Sequence, residues 1–182
     1  MIWIPVAIIA IIIIYLIVAY NGLIRGRNQI ENAWSQVDVQ LKRRIDLIPN
    51  LVEAVKGYAA HEKETLDAVV RARNAAIAAP ATPSGQAEAD NQITGALRQL
   101  FALSEAYPDL KANQNFLALQ EELTATEGRV AYARQFYNDS VLGYNNKLQA
   151  FPTVFFAKAM KFQRREYFET VEAARQVPKV QF

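Results

Sequence analysis

Of the groups that could do chemistry in this chain, eighteen are carboxylates and only one is a histidine; there is no cysteine. That excludes disulfides, thiolate nucleophiles and Cys-ligated metals. A carboxylate di-metal centre in a helical protein draws on Glu-x-x-His pairs from facing helices. Here His61 has Tyr58, not Glu, three residues before it. His61-Glu62 does not open a zinc-protease motif either, because Thr65 stands where the second His is needed. Ser35, Ser84, Ser104 and Ser140 lack a nucleophile-elbow context, and the seven glycines are scattered rather than gathered into a phosphate loop. Asn138-Asp139-Ser140 spells a glycosylation sequon, but it falls within a helical pattern. The expectation is a non-enzyme with no catalytic residues, no cofactor and no metal. The near balance of 20 basic and 18 acidic residues, without a basic stripe, argues against a nucleic-acid partner.

Three groups of polar residues remain to be explained. Arg43, Arg44 and Asp46 crowd one turn beside Pro49 and Asn50. They read either as a docking surface or as a local ion-pair and capping cluster, since Arg43 and Asp46 are three apart and can meet. Glu62, Glu105 and Glu127 lie in or beside apolar stripes, and Arg134 follows Glu127 by seven. Paired across helices, such charges set register; otherwise they are solvated edges. Tyr137-Asn138 and Tyr144-Asn145 are also seven apart, hence on one helix face, and read as core or interface residues. A third pair, Tyr20-Asn21, suits a membrane edge.

The elements that must position these residues begin with an apolar run. Ile2 to Tyr20 carries no charge, and the first charged side chain is Arg25. Nineteen helical residues span roughly 28 Å, about the thickness of a bilayer core. Isoleucines occur all round the helix, so no polar face remains for a soluble core helix. A cleaved signal peptide fits less well, because a basic leader and a small-x-small site are both missing. Residues 1–21 are therefore predicted to form a transmembrane helix. Arg25, Arg27, Lys42, Arg43 and Arg44 follow it, which predicts the N-terminus outside and the following domain in the cytoplasm.

Beyond the anchor, apolar residues step in threes and fours: Ile30, Trp34, Val37, Leu41, Ile45, Ile48, Val52 and Val55, then Leu66 and Val69. Pro49 should kink or break this run near Leu47 and Ile48. Residues 79–86 (APATPSGQ) read as a surface loop. A third helix is predicted from Ala89 to Ala106, with Ile93, Leu97, Leu100 and Leu103 on one face. Tyr107-Pro108-Asp109 ends it and can restart the chain, and a fourth, long helix is predicted from Leu110 to Gln149 on Phe116, Leu119, Leu123, Val130, Ala133, Tyr137, Val141, Tyr144 and Leu148, with Thr126 inside the stripe. Phe151-Pro152 stops that helix. Residues 151–168 then combine five Phe with Lys158, Lys161, Arg164 and Arg165. They form either a terminal helix whose aromatics cap the core or a membrane-surface segment. The fold class is all-α: an N-terminal transmembrane helix followed by an elongated antiparallel helical bundle over 22–168, with a tail over 169–182.

The chain resembles the LemA family of bacterial membrane proteins. The resemblance is carried by Tyr20-Asn21, Arg27-Asn28, and VDVQLKRRIDLIPNLVEAVKGYAAHE from Val37 to Glu62. It continues in Glu105-x-Tyr107-Pro108-x-Leu110-Lys111-Ala112-Asn113, Thr126-Glu127, Ala133-Arg134-x-x-Tyr137-Asn138, Tyr144-Asn145 and Phe151-Pro152. The resemblance implies an anchored, elongated helical bundle with no established enzymatic activity. Its relatives include a protein of magnetosome membranes, which implies a role in membrane organisation. The expectation is a single-pass, self-associating scaffold of the bacterial inner membrane whose partners are the lipid bilayer, further copies of itself and membrane proteins; the alternatives are an adaptor or regulator of another membrane protein, such as a protease or sensor, and, less favoured, a metal-dependent enzyme.

Overall fold

A computed structural model describes residues 3–59 and 61–168; the expected tail over 169–182 lies outside the described residues. All regular structure there is helical: α1 (Trp3–Lys56), α2 (Lys63–Ala78), α3 (Pro83–Ser104), α4 (Pro108–Lys111), α5 (Gln114–Gln149) and α6 (Thr153–Ala159). The chain divides into two compact units, and α1 and α5 contribute to both. The first comprises residues 3–36 and 135–167; the second comprises residues 37–59, 61–134 and 168.

In the first unit α1 and α5 pair antiparallel. The Trp34 ring meets Tyr137 edge-on at 5.5 Å, while Gly26 faces Tyr144. A Cβ at Gly26 would stand 3.1 Å from Tyr144 Cδ2, so the absent side chain is what lets the ring lie close. Leu23, Ile30, Ala33, Val141, Leu148 and Ala157 are also buried there. The start of α1 is different. Every residue from Trp3 to Ile14 is exposed. This is the one described helix long and apolar enough to cross a membrane.

The second unit packs α2, α3, α4 and the facing parts of α1 and α5 around Ile48, Leu51, Val55, Leu66, Val69, Ile93, Leu100, Phe116 and Leu123. Three boundaries differ from expectation. α1 runs through Pro49 without interruption. Pro49 is exposed, whereas its neighbours Ile48 and Leu51 are buried in the core, and that packing holds the helix across the missing N–H. The break comes instead between the end of α1 at Lys56 and the start of α2 at Lys63, inside what reads as one continuous seam. The loop expected over 79–86 is shorter, because Thr82 caps α3 by accepting from the Gly85 N–H at 3.2 Å, with Pro83 at the first helical position. Last, Tyr107-Pro108 restarts the chain as the separate turn α4, and Asn113 opens α5 by accepting from the Phe116 N–H at 3.0 Å.

Candidate functional site

The second unit holds a buried ionic cluster. Arg44 of α1 is 2 % exposed and Asp90 of α3 is 4 % exposed. Arg44 Nη1 donates to Asp90 Oδ1 at 2.6 Å, and Arg134 Nη1 lies 3.6 Å from Oδ2. Glu127 Oε2 is 3.7 Å from Arg44 Nη2, and the Phe168 ring covers the Arg134 guanidinium at 4.6 Å. Two cations face two anions, so the cluster is neutral. Burial pulls the Arg134 guanidinium below its ordinary value, with Asp90 opposing and Arg44 reinforcing; arginine still stays charged. Both oxygens of Asp90 are committed to guanidiniums, which suits it poorly to act as a general base. What the arrangement can do is join α1, α3 and α5 in one register. A shallow recess beside it is lined by Arg44, Thr94, Arg98, Phe101, Leu123 and Glu127.

The sequence singled out Arg44, Glu127 and Arg134, and the structure brings them together. It did not single out Asp90, the residue that joins them. The signal was present: Asp90, Ile93, Leu97 and Leu100 step by three, four and three, placing an acid on the buried face of α3. Arg43 reaches α5, where Glu122 Oε1 lies 2.7 Å away and also receives Arg129 at 3.2 Å. Asp46, Pro49 and Asn50 are exposed.

At the turns of the same unit Tyr107 donates to Glu62 at 2.8 Å, and that bond, ahead of burial, raises the Tyr107 hydroxyl above its usual range. Glu62 thus ties the start of α2 to the α3–α4 turn instead of capping its own helix. Glu105 pairs with Lys111, bracketing the exposed Pro108, and Asn113 donates to the Tyr58 hydroxyl at 2.9 Å.

In the first unit the Tyr-Asn residues hold the returning chain. Asn145 is 1 % exposed. Its amide donates to the Arg165 carbonyl at 3.0 Å, and its carbonyl accepts from the Arg165 N–H at 2.9 Å. Tyr137 donates to the Glu166 carbonyl at 2.9 Å. Asn145 therefore satisfies both backbone polar groups of Arg165. Burial raises the hydroxyls of both Tyr137 and Tyr144, with Arg165 opposing in each case. Asn138 is half-buried beside Tyr137. Among the described residues no three His, Asp or Glu side chains gather as a metal site would require.

Comparison with known proteins adds lineage to this geometry. The model of the LemA family matches residues 33–182. The chain is 27 % identical over 155 residues to "Protein LemA" of Metamycoplasma hominis, covering 85 % of this chain and 71 % of that relative. It is 25 % identical over 179 residues to "Magnetosome protein MamQ 2" of Paramagnetospirillum magneticum, covering 85 % of this chain and 66 % of the relative. "Magnetosome protein MamQ" of Magnetospirillum gryphiswaldense is 25 % identical over 178 residues, covering 84 % and 65 %.

Proposed function

The chain belongs to the LemA family, and from that premise we propose that it is a non-enzymatic, membrane-anchored scaffold. It self-associates and organises membrane or membrane-protein partners. The observation that carries this reading is the exposed apolar start of α1, which continues into the folded units as one helix with no linker. The magnetosome names of two relatives support a role at membranes. The charged clusters are engaged with one another and serve the fold, which leaves binding rather than turnover as the work of the surface. The expected setting is the bacterial inner membrane, with the domain cytoplasmic, because the cations at Arg25 and Arg27 follow the apolar run.

The apolar seams of α1 and α5 are largely used within the chain: Val37, Leu41, Leu123 and Val130 are all buried. Self-association in this reading falls to outward residues such as Leu117 and Tyr132 of α5 and the anchor itself, all of them exposed. The test is mass measurement of the full chain in mild detergent, with single-particle imaging. A defined homo-oligomer is expected. A strictly monomeric particle overturns self-association and leaves the protein as an adaptor for a different membrane protein, which should then co-purify in fixed ratio.

A further inference from the structure

The segment after α5 lies against the membrane-spanning part of α1. The Tyr15 hydroxyl is hydrogen-bonded to Thr153 Oγ1 at 2.9 Å. The Tyr20 ring meets Phe156 at 6.4 Å and Phe162 at 6.0 Å, both edge-on. The Thr153 and Phe156 contacts occupy the inner face of α6, where Ala157 is buried, and Phe162 follows the helix. The outer face is unused by the core: Phe151 is 81 % exposed, Phe155 is 68 % exposed, and the two rings stack edge-on at 6.1 Å. Met160 is exposed beside them.

Depth follows from the helix rise. Tyr15 precedes Tyr20 by five residues, so it lies roughly 7 Å further along the axis into the bilayer when Tyr20 marks its edge. Thr153 sits level with Tyr15. An interfacial helix buries its apolar face about 5–10 Å into the boundary between headgroups and acyl chains, and α6 is held at that depth. Cations follow on the headgroup side. Arg27, Lys161, Arg164 and Arg165 line one shallow recess, and Lys158 is exposed nearby. Glu31 offsets part of this charge through Arg27 at 3.4 Å and Arg165 at 3.7 Å. The acid within residues 151–168 is Glu166 alone.

We propose that α6 is a second membrane contact: Phe151 and Phe155 insert into the acyl boundary of an anionic bilayer while Lys158, Lys161 and Arg164 meet its phosphates. The proposal rests on the anchored reading above and adds to it a fixed lipid-facing surface on the folded unit. Aromatic residues flanked by cations suit that surface, because the rings bury in the acyl boundary and the charges meet anionic lipid.

The absence of cysteine makes the test direct. Three single-site variants of the full chain, Phe155→Cys, Ile11→Cys and Val39→Cys, each carry a spin label at an exposed position. They are reconstituted into phosphatidylcholine vesicles containing phosphatidylglycerol, and label accessibility to oxygen and to a water-soluble nickel chelate is measured. The oxygen-to-nickel ratio at 155 is expected to be several-fold above that at 39 and below that at 11. A value at 155 equal to that at 39, with 11 lipid-exposed, overturns the proposal and leaves the anchor standing. A water-exposed label at 11 overturns the anchor, and the proposal falls with it. In vesicles without phosphatidylglycerol the label at 155 should move toward water. An unchanged ratio there overturns the part assigned to the cations.

Discussion

At the scale of single residues, Asp90 is the most consequential side chain in the second unit, because two guanidiniums share it. Asp90→Ala leaves Arg44 buried without its close partner. Breaking a buried pair from one side costs about 3–5 kcal/mol, so the thermal midpoint of the variant in detergent should fall sharply, and that of Asp90→Asn less. A midpoint unchanged in Asp90→Ala would show that the cluster adds nothing to stability. The tyrosines give a pH dependence with a definite sign. Tyr137 and Tyr144 hold their protons more tightly folded than unfolded, where the hydroxyl titrates near 10. Their contribution is complete below that pH and is lost as pH rises through the raised folded values. Unfolding midpoints should therefore fall above about pH 10, with a smaller alkaline decline in the Tyr137→Phe/Tyr144→Phe double variant. Arg44 is legible in the sequence from its crowding with Arg43 and Asp46 beside Pro49, and Arg134 from its seven-residue spacing to Glu127. Asp90 carries a weaker signal: it is the second residue of the helix predicted from Ala89 to Ala106, three positions before Ile93, the first apolar residue assigned to the stripe.

Elements were legible where packing repeats and less so where it stops. The stripes of α1 and α5 are buried largely as their spacing indicates, down to Thr126, whose hydroxyl donates to the Glu122 carbonyl at 2.7 Å. Boundaries moved where capping chemistry competed with composition, as at Thr82, or where tertiary packing outweighed a local penalty, as at Pro49. If α1 carries Pro49 as a cost, Pro49→Ala restores an N–H able to bond the Ile45 carbonyl and should stabilise by about 1–3 kcal/mol. Chemical unfolding of the two proteins measures this directly, and a loss of stability would mean that the ring itself packs favourably. The return segment makes a different prediction. Asn145→Ala removes both bonds to Arg165, leaving the Tyr137 bond to Glu166, the exposed Glu31–Arg165 pair and the Tyr20–Phe162 contact to hold the segment. Limited trypsin digestion should then cut after Lys161, Arg164 or Arg165 several-fold faster than in the parent chain, while cutting elsewhere is little changed.

For the molecule as a whole, each unit has its own core and its own polar lock: the Arg44–Asp90–Arg134 cluster in one and the Asn145–Arg165 pairing in the other. That division was not legible in the sequence. Two long helices contribute to both units, and a repeating stripe does not announce where one set of contacts gives way to the next. The apolar start was legible throughout, because length and the absence of charge suffice to identify it. The full chain should stay in the membrane pellet after washing with high salt and urea; release into the supernatant would overturn the anchor.

The unbroken passage of α1 out of its apolar start sets the azimuth of the first unit packed on it. Each residue turns a helix by about 100°, so one residue inserted between Tyr20 and Gly26 would swing Tyr15 and Tyr20 away from α6 while Gly26 still faced Tyr144. A flexible tether would absorb such an insertion; a continuous helix transmits it. Under the anchored reading proposed above, torque or tilt imposed on α1 by a bilayer would reach the Gly26–Tyr144 contact with no joint in between, keying the first unit to the membrane in rotation as well as in position.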